Sequence, residues 1–148
     1  MSDTTRDDEL AIRALIERYA DAVNRRDDAD WAALWTGDGV WEVFGTAIEG
    51  RDAVVAAWSG AMQTFSFVFH VVHSAVIDVA GEGARGRWTV SEQLVDAAGK
   101  PGILLALYHD EYRREAGVWK IARRRLEPLY QGPPDLSGPL PGAGGGTP

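Results

Sequence analysis

Between Phe65 and Val79 the chain reads Phe-Ser-Phe-Val-Phe-His-Val-Val-His-Ser-Ala-Val-Ile-Asp-Val, a run of β-branched and aromatic residues without Pro or Gly. Such a run predicts a strand, closed by the turn residues Ala80-Gly81-Glu82-Gly83. Both of its alternating faces are largely apolar, which places it in the middle of a sheet covered on both sides. Upstream the period becomes helical: Ile12, Leu15, Ile16, Tyr19, Ala20 and Val23 fall on one stripe. Asp8–Asn24 is therefore expected to be an amphipathic helix, with Thr5 as its N-cap and residues 1–7 flexible ahead of it. Asp28 can cap a short helix carrying Trp31, Leu34 and Trp35, which Thr36-Gly37-Asp38-Gly39 should stop. Val40–Phe44 reads as a strand and Gly45–Gly50 as a bend or hairpin. Arg51-Asp52 opens a third helix on which Val54, Val55, Trp58 and Met62 hold helical spacing.

Beyond Gly83 the pattern is an antiparallel meander: strands Ala84–Val95, Ile103–Glu115 and Val118–Tyr130, separated by glycine-bearing turns. Helices gathered ahead of most of a curved antiparallel sheet give an α+β fold over residues 8–130. The segment 131–148 holds five of the seven prolines and six of the seventeen glycines, too little apolar surface to offset ordering entropy, and is expected to be disordered.

Composition narrows the function classes. A chain of 148 residues, 45% hydrophobic, suits one domain that buries roughly two-thirds of its unfolded surface, and six tryptophans add large apolar area. A net charge of −7 argues against a nucleic-acid or anionic-membrane partner. Arg123-Arg124-Arg125 does not reverse this, because alternation sends Arg123 and Arg125 to one face and Arg124 to the other. With no cysteine there is no disulfide, thiolate metal site or thiol nucleophile. The acidic start lacks a signal-peptide core and no apolar run approaches about 18 residues, so a cytoplasmic protein is expected.

The chemistry-bearing residues lie on the strands. His70 and His73 sit in the apolar run, and an imidazole in an apolar cavity is a candidate proton shuttle. His70 shares a face with Val68, Val72 and Val76, and His73 with Phe67, Phe69, Val71 and Ile77; periodicity leaves open which face lines a cavity. Glu92 shares a face with Trp88, Val90 and Leu94, where a carboxylate needs a partner, and a histidine on the neighbouring strand would serve. Tyr108 and Asp110 fall on the next strand's mixed face; Asp110 could instead pair with Arg123 or Arg125, and Glu92 could face a subunit interface. Asn24, at the flank of the first helix near its end, can reach a cavity mouth or cap the helix. The three histidines have mixed parity on two strands, so no metal or other cofactor is expected.

The first helix with Tyr19, Trp31-Ala-Ala-Leu-Trp35 before Asp38-Gly-Val-Trp41, Glu49-Gly-Arg-Asp-Ala-Val54, His70, Ala84-Arg-Gly-Arg-Trp88, and Tyr108-His-Asp-Glu-Tyr112 before Gly117-Val-Trp-Lys-Ile121 follow in an order. That order resembles the SnoaL-like branch of the nuclear transport factor 2-like superfamily. The resemblance implies a cone-shaped α+β domain whose curved sheet and helices enclose one pocket, with homodimers formed through the sheet's outer face. Among its members the scytalone dehydratase and bile-acid dehydratase group is the most similar. That group lines its pocket with a tyrosine, an aspartate some five residues later, a histidine and, in the bile-acid enzymes, an acidic residue on the Gly-Arg-Trp strand. Here these positions are Tyr19, Asn24, His70 and Glu92. Asn24 departs from the aspartate, and Pro128 stands about where the bile-acid enzymes place an arginine.

These readings converge on a cofactor-independent lyase or isomerase of dehydratase type, acting on a small apolar oxygenated ring compound. His70 would take a proton next to a carbonyl, Glu92 would hold the imidazole, and Tyr19 or Tyr108 would hydrogen-bond the oxygen that gains charge. Asn24, Trp41, Trp88, Tyr108, Asp110 and His73 make up the expected substrate-contacting set. Two alternatives carry other chemistry: a non-catalytic ligand-binding or dimerisation module, and an epoxide or ester hydrolase in which Asp110 and Glu92 activate water beside a bridging arginine.

Overall fold

The computed structural model describes residues 2–141. Met1, and residues 142–148 of the segment expected to be disordered, lie outside the described residues. Helix α1 (Asp3–Arg25) starts ahead of the expected Asp8, because Ser2 rather than Thr5 is the N-cap: its side chain accepts from the Thr5 N–H. Arg26, in the left-handed conformation at φ 53°, ends the helix and returns its N–H to Ala22 and Val23. Helix α2 (Asp28–Ala32) is capped by Asp27, not Asp28, through the Asp30 N–H. Trp35, expected in that helix, instead opens strand β1 (Trp35–Val43), so Thr36-Gly37-Asp38-Gly39 run within a strand. Tertiary pairing overrides the local glycine signal: Trp35 stands opposite Ile121, and the Ile121 N–H donates to Leu34 O at 2.8 Å. Phe44 and Gly45, both with positive φ, turn β1 into β2 (Thr46–Glu49), the two-residue hairpin geometry.

Helix α3 (Arg51–Met62) follows, then β3 (Phe65–Ala80), β4 (Gly83–Asp96), β5 (Pro101–Glu115) and β6 (Val118–Gly132). The six strands form one curved, open sheet in the order β2-β1-β6-β5-β4-β3. β3 to β6 make the expected antiparallel meander, and β1 joins it parallel to β6, so the sheet is mixed.

One expectation is corrected by this order. β3 is an edge strand, not a central one, and Phe67, Phe69 and Val76 are 49%, 47% and 54% exposed. Its two apolar faces do not mean two covering layers. Val68 and His70 are buried toward the helices, while the opposite face carries apolar side chains that nothing in the chain covers among the described residues. The core is dominated by tryptophan: Trp31 stacks on Trp58 at 4.5 Å between ring centroids, with Trp35 at 5.4 Å and Trp41 at 6.0 Å. At the far end of β6, Tyr130 Oη donates to Pro133 O at 2.7 Å and accepts the Gly138 N–H, folding the first part of the expected tail back on the sheet. No helix among the described residues is long and apolar enough to cross a membrane.

Candidate active site

Residues of all six strands, one stripe of α1 and one face of α3 meet around a cavity of about 250 Å³. Tyr19 comes from α1, Trp41 from β1, His70 from β3, Glu92 from β4, Tyr108 from β5 and Gln131 from β6, set in walls of Leu, Val, Met and Trp. Alternation explains the selection: each strand gives every second residue to the inner face, and the register then fixes which ones meet. His70 stands directly opposite Glu92 across β3 and β4. The imidazole is 2% exposed, and its Nδ1 lies 2.7 Å from Glu92 Oε2. A carboxylate accepts, so this network puts the proton on Nδ1 and leaves the Nε2 lone pair free. Nε2 is buried and has no hydrogen-bond partner among the described residues. The rings of Tyr19 and Tyr108 lie 5.6 Å and 6.2 Å from the imidazole.

Both tyrosines are supported from below by a cation. Arg124 is fully buried, with its guanidinium carbon 4.3 Å from the Tyr19 ring centroid and 4.0 Å from that of Tyr108. It pairs with Asp110 in a two-pronged bond, Nε to Oδ1 at 2.8 Å and Nη2 to Oδ2 at 2.7 Å. Tyr112 Oη also donates to Asp110 at 2.5 Å and accepts the Trp88 indole N–H at 2.7 Å. Burial pushes the phenols of Tyr19 and Tyr108 above the usual tyrosine range, with the Arg124 charge opposing that rise at both. Both therefore stay protonated at neutral pH and can donate. Burial works against the Arg124 cation too, but the Asp110 carboxylate outweighs it and holds the guanidinium well above its ordinary value.

The expected residues divide accordingly. His70, Glu92, Tyr19, Tyr108 and Trp41 come together at the cavity, and His70 rather than His73 lines it. His73 lies on the outer face, exposed, with Nε2 2.8 Å from Ser91 Oγ. Trp88 and Asp110 do not line the cavity; their polar atoms are spent within the buried network. Asp110 pairs with Arg124, not with Arg123 or Arg125, because Asp110 and Arg124 are register partners on the inner face. The hydrolase arrangement is thereby lost, since Arg124 holds Asp110 away from the cavity and makes no ion pair with Glu92 among the described residues. Asn24 is neither cap nor cavity wall: its carboxamide binds the main chain of His70, Nδ2 to O at 2.9 Å and Oδ1 from N at 2.7 Å. Arg124 and Gln131 went unread as site residues. Arg124 carried a signal in its parity, opposite to Arg123 and Arg125 and matching Asp110. No group of three His, Asp or Glu side chains gathers to hold a metal ion among the described residues.

Comparison with known proteins agrees with this architecture. A variant of Rv3472 from Mycobacterium tuberculosis, of unknown function, is 32% identical with a TM-score of 0.75, covering 85% of this chain and 74% of its own. A protein from Novosphingobium aromaticivorans, provisionally named a scytalone dehydratase, is 25% identical with a TM-score of 0.82 over 88% of this chain and 90% of its own. A type 2 hexachlorocyclohexane dehydrochlorinase (LinA) shares the fold at 21% identity, with a TM-score of 0.83 over 95% of this chain and 99% of its own. Among curated proteins there is no match. The SnoaL-like domain model matches residues 4–125, and this chain belongs to the SnoaL-like family.

Proposed function

We propose that this protein is a cofactor-independent lyase of the cytoplasm that eliminates H–X from a small, apolar, oxygenated ring compound. The observation that carries the reading is a buried imidazole at the cavity wall, with one nitrogen held by Glu92 and the other left without a protein partner. An imidazole so held is a general base of fixed tautomer. In the elimination, His70 Nε2 takes the proton next to a ring carbonyl and the C–H electrons form the enolate. That enolate expels a β-hydroxyl, which leaves as water with the proton returned from His70. Tyr19 and Tyr108, kept neutral by burial, donate to the oxygen that gains charge. Arg124 beneath both rings adds positive potential where the enolate forms.

Size and polarity narrow the substrate. The cavity holds about 250 Å³, slightly under the span of about 300–1,000 Å³ for drug-sized ligands and about eight waters' worth of liquid volume. That suits one substituted ring inside the cavity. The names of two relatives fit the same reaction class, since a dehydratase removes water and a dehydrochlorinase removes hydrogen chloride. A cyclic β-hydroxy ketone, followed by enone absorbance, is the test substrate. His70→Ala should lower its turnover by about 10²–10⁴-fold, the worth of a positioned acid–base group, and unchanged turnover would sink the reading.

We infer further that the outer sheet face pairs with a second copy of the chain. Beside the exposed Val76, the register places Asp78, Arg85, Glu111 and Arg123 in one row across β3, β4, β5 and β6. The row reads minus, plus, minus, plus. A two-fold axis along the strands between β4 and β5 sets every charge opposite its complement, Arg85 against Glu111 and Asp78 against Arg123, in an aligned sheet-on-sheet contact.

A further inference from the structure

His70 is held by its main chain as well as by its ring. β3 is the last strand of the sheet, so among the described residues no strand lies on its far side to take up outward-pointing N–H and C=O groups. At His70 both groups are taken by one side chain, Asn24, in the last turn of α1. Because these groups turn outward, His70 and Glu92 form the kind of antiparallel pair that exchanges no main-chain hydrogen bond, in which side chains stand closest. This explains how a histidine and a glutamate on adjacent strands come within 2.7 Å. Two residues on, Arg26 ties the same helix end to the end of α3 and the start of β3, donating to Met62 O at 2.9 Å and Phe65 O at 2.8 Å.

We propose that Asn24 is a positioning residue for His70: its carboxamide stands in for the missing neighbouring strand and fixes the main chain from which the imidazole projects. This rests on the reading of His70 as the base. The job needs one donor and one acceptor side by side, which asparagine has and aspartate lacks. An aspartate here would accept from the His70 N–H but set a second acceptor against the His70 carbonyl. Its negative charge would be of no use to the ring, since Glu92 already occupies Nδ1. Asn24 is therefore the working residue of this chain, and restoring the aspartate of the similar dehydratases would harm the site.

Asn24→Asp decides the matter, because the two side chains have the same size and Asn24 is exposed, so folding is not at stake. Asn24→Ala removes both bonds. By nuclear magnetic resonance, exchange of the His70 amide should speed up roughly tenfold or more in Asn24→Ala, with β4 amides unchanged. The low-field Nδ1–H signal of the His70–Glu92 bond should weaken in both variants. On the cyclic β-hydroxy ketone, kcat should fall about 10- to 100-fold in Asn24→Asp with KM nearly unchanged, as expected of a misplaced base. An Asn24→Asp protein as active as the parent or more so, or a His70 amide and Nδ1–H signal indifferent to Asn24→Ala, would overturn the proposal. The amide and Nδ1–H readouts need no turnover, so they judge the clamp separately from the acid–base reading, which stands or falls on His70→Ala.

Discussion

Arg124→Met puts the buried support of the site to the test. In the native protein both side chains of the Arg124–Asp110 pair have no exposed area, and the guanidinium packs on two tyrosine rings. Removing Arg124 leaves the Asp110 carboxylate in the core with, among the described residues, only the Tyr112 hydroxyl as partner. Breaking a buried pair costs about 3–5 kcal/mol. The lost cation–ring contacts add up to about 2 kcal/mol each, of which a methionine sulfur beside the same rings recovers about 0.3–1.5 kcal/mol. A loss of about 4 kcal/mol or more is a large share of the roughly 5–15 kcal/mol that a domain has, and it lowers Tm by at least roughly 8–16 °C at this chain length. Adding Asp110→Asn removes the stranded charge and keeps an acceptor for Tyr112. The double variant should then regain about 2 kcal/mol over Arg124→Met in urea unfolding. An Arg124→Met protein within about 1 kcal/mol of the parent, or strictly additive single effects, would refute the assignment of Arg124 and Asp110 as a coupled buried pair.

Three further outcomes follow from the geometry. A β-carbon on Gly86 would lie 2.9 Å from both Oη and Cε2 of Tyr112, whose hydroxyl is fixed by Trp88 and Asp110, so Gly86→Ala should cost about 1–3 kcal/mol in chemical denaturation. Burial raises the phenols of Tyr19, Tyr108 and Tyr112, so their contribution is intact below the unfolded phenol pKa of about 10 and is lost as pH rises toward their folded values. The unfolding free energy from urea titrations should hold up to about pH 10 and then fall, by up to about 1.4 kcal/mol per pH unit per tyrosine, and less steeply in Tyr108→Phe. For the sheet face, Glu111→Arg should shift the protein toward monomer in native mass spectrometry, and the swap Arg85→Glu with Glu111→Arg should restore the dimer; a monomeric parent would end that reading.

The parts of this fold that were legible in the sequence are those set by local periodicity. Helical stripes such as Ile12 to Val23 and the alternation through β3 to β6 gave the helices, the meander and the faces of Tyr19, Glu92 and Tyr108, whereas the choice of His70 over His73 rested on the family resemblance. What alternation does not carry is neighbour identity. The apolar outer face of β3 looked like a face under a second layer, because Phe67 and Phe69 are the same residues whether a layer covers them or not. Trp35 left its helical signal because Ile121, far along the chain, offered a pairing. Asp110 could be read as a partner of some arginine, but the strand register made that arginine Arg124. Asn24, expected at a cavity mouth or as the helix cap, is neither, because its role depends on which atoms of β3 lie within reach.

The central claim, that His70 moves a proton to and from a ring carbon, can be read without waiting for the natural substrate. With a cyclic β-hydroxy ketone in deuterated water, proton resonances next to the carbonyl report abstraction directly. The parent protein should exchange those protons far faster than buffer, and His70→Ala should lose about 10²–10⁴-fold of that rate. Equal exchange rates in the parent and His70→Ala would contradict the account.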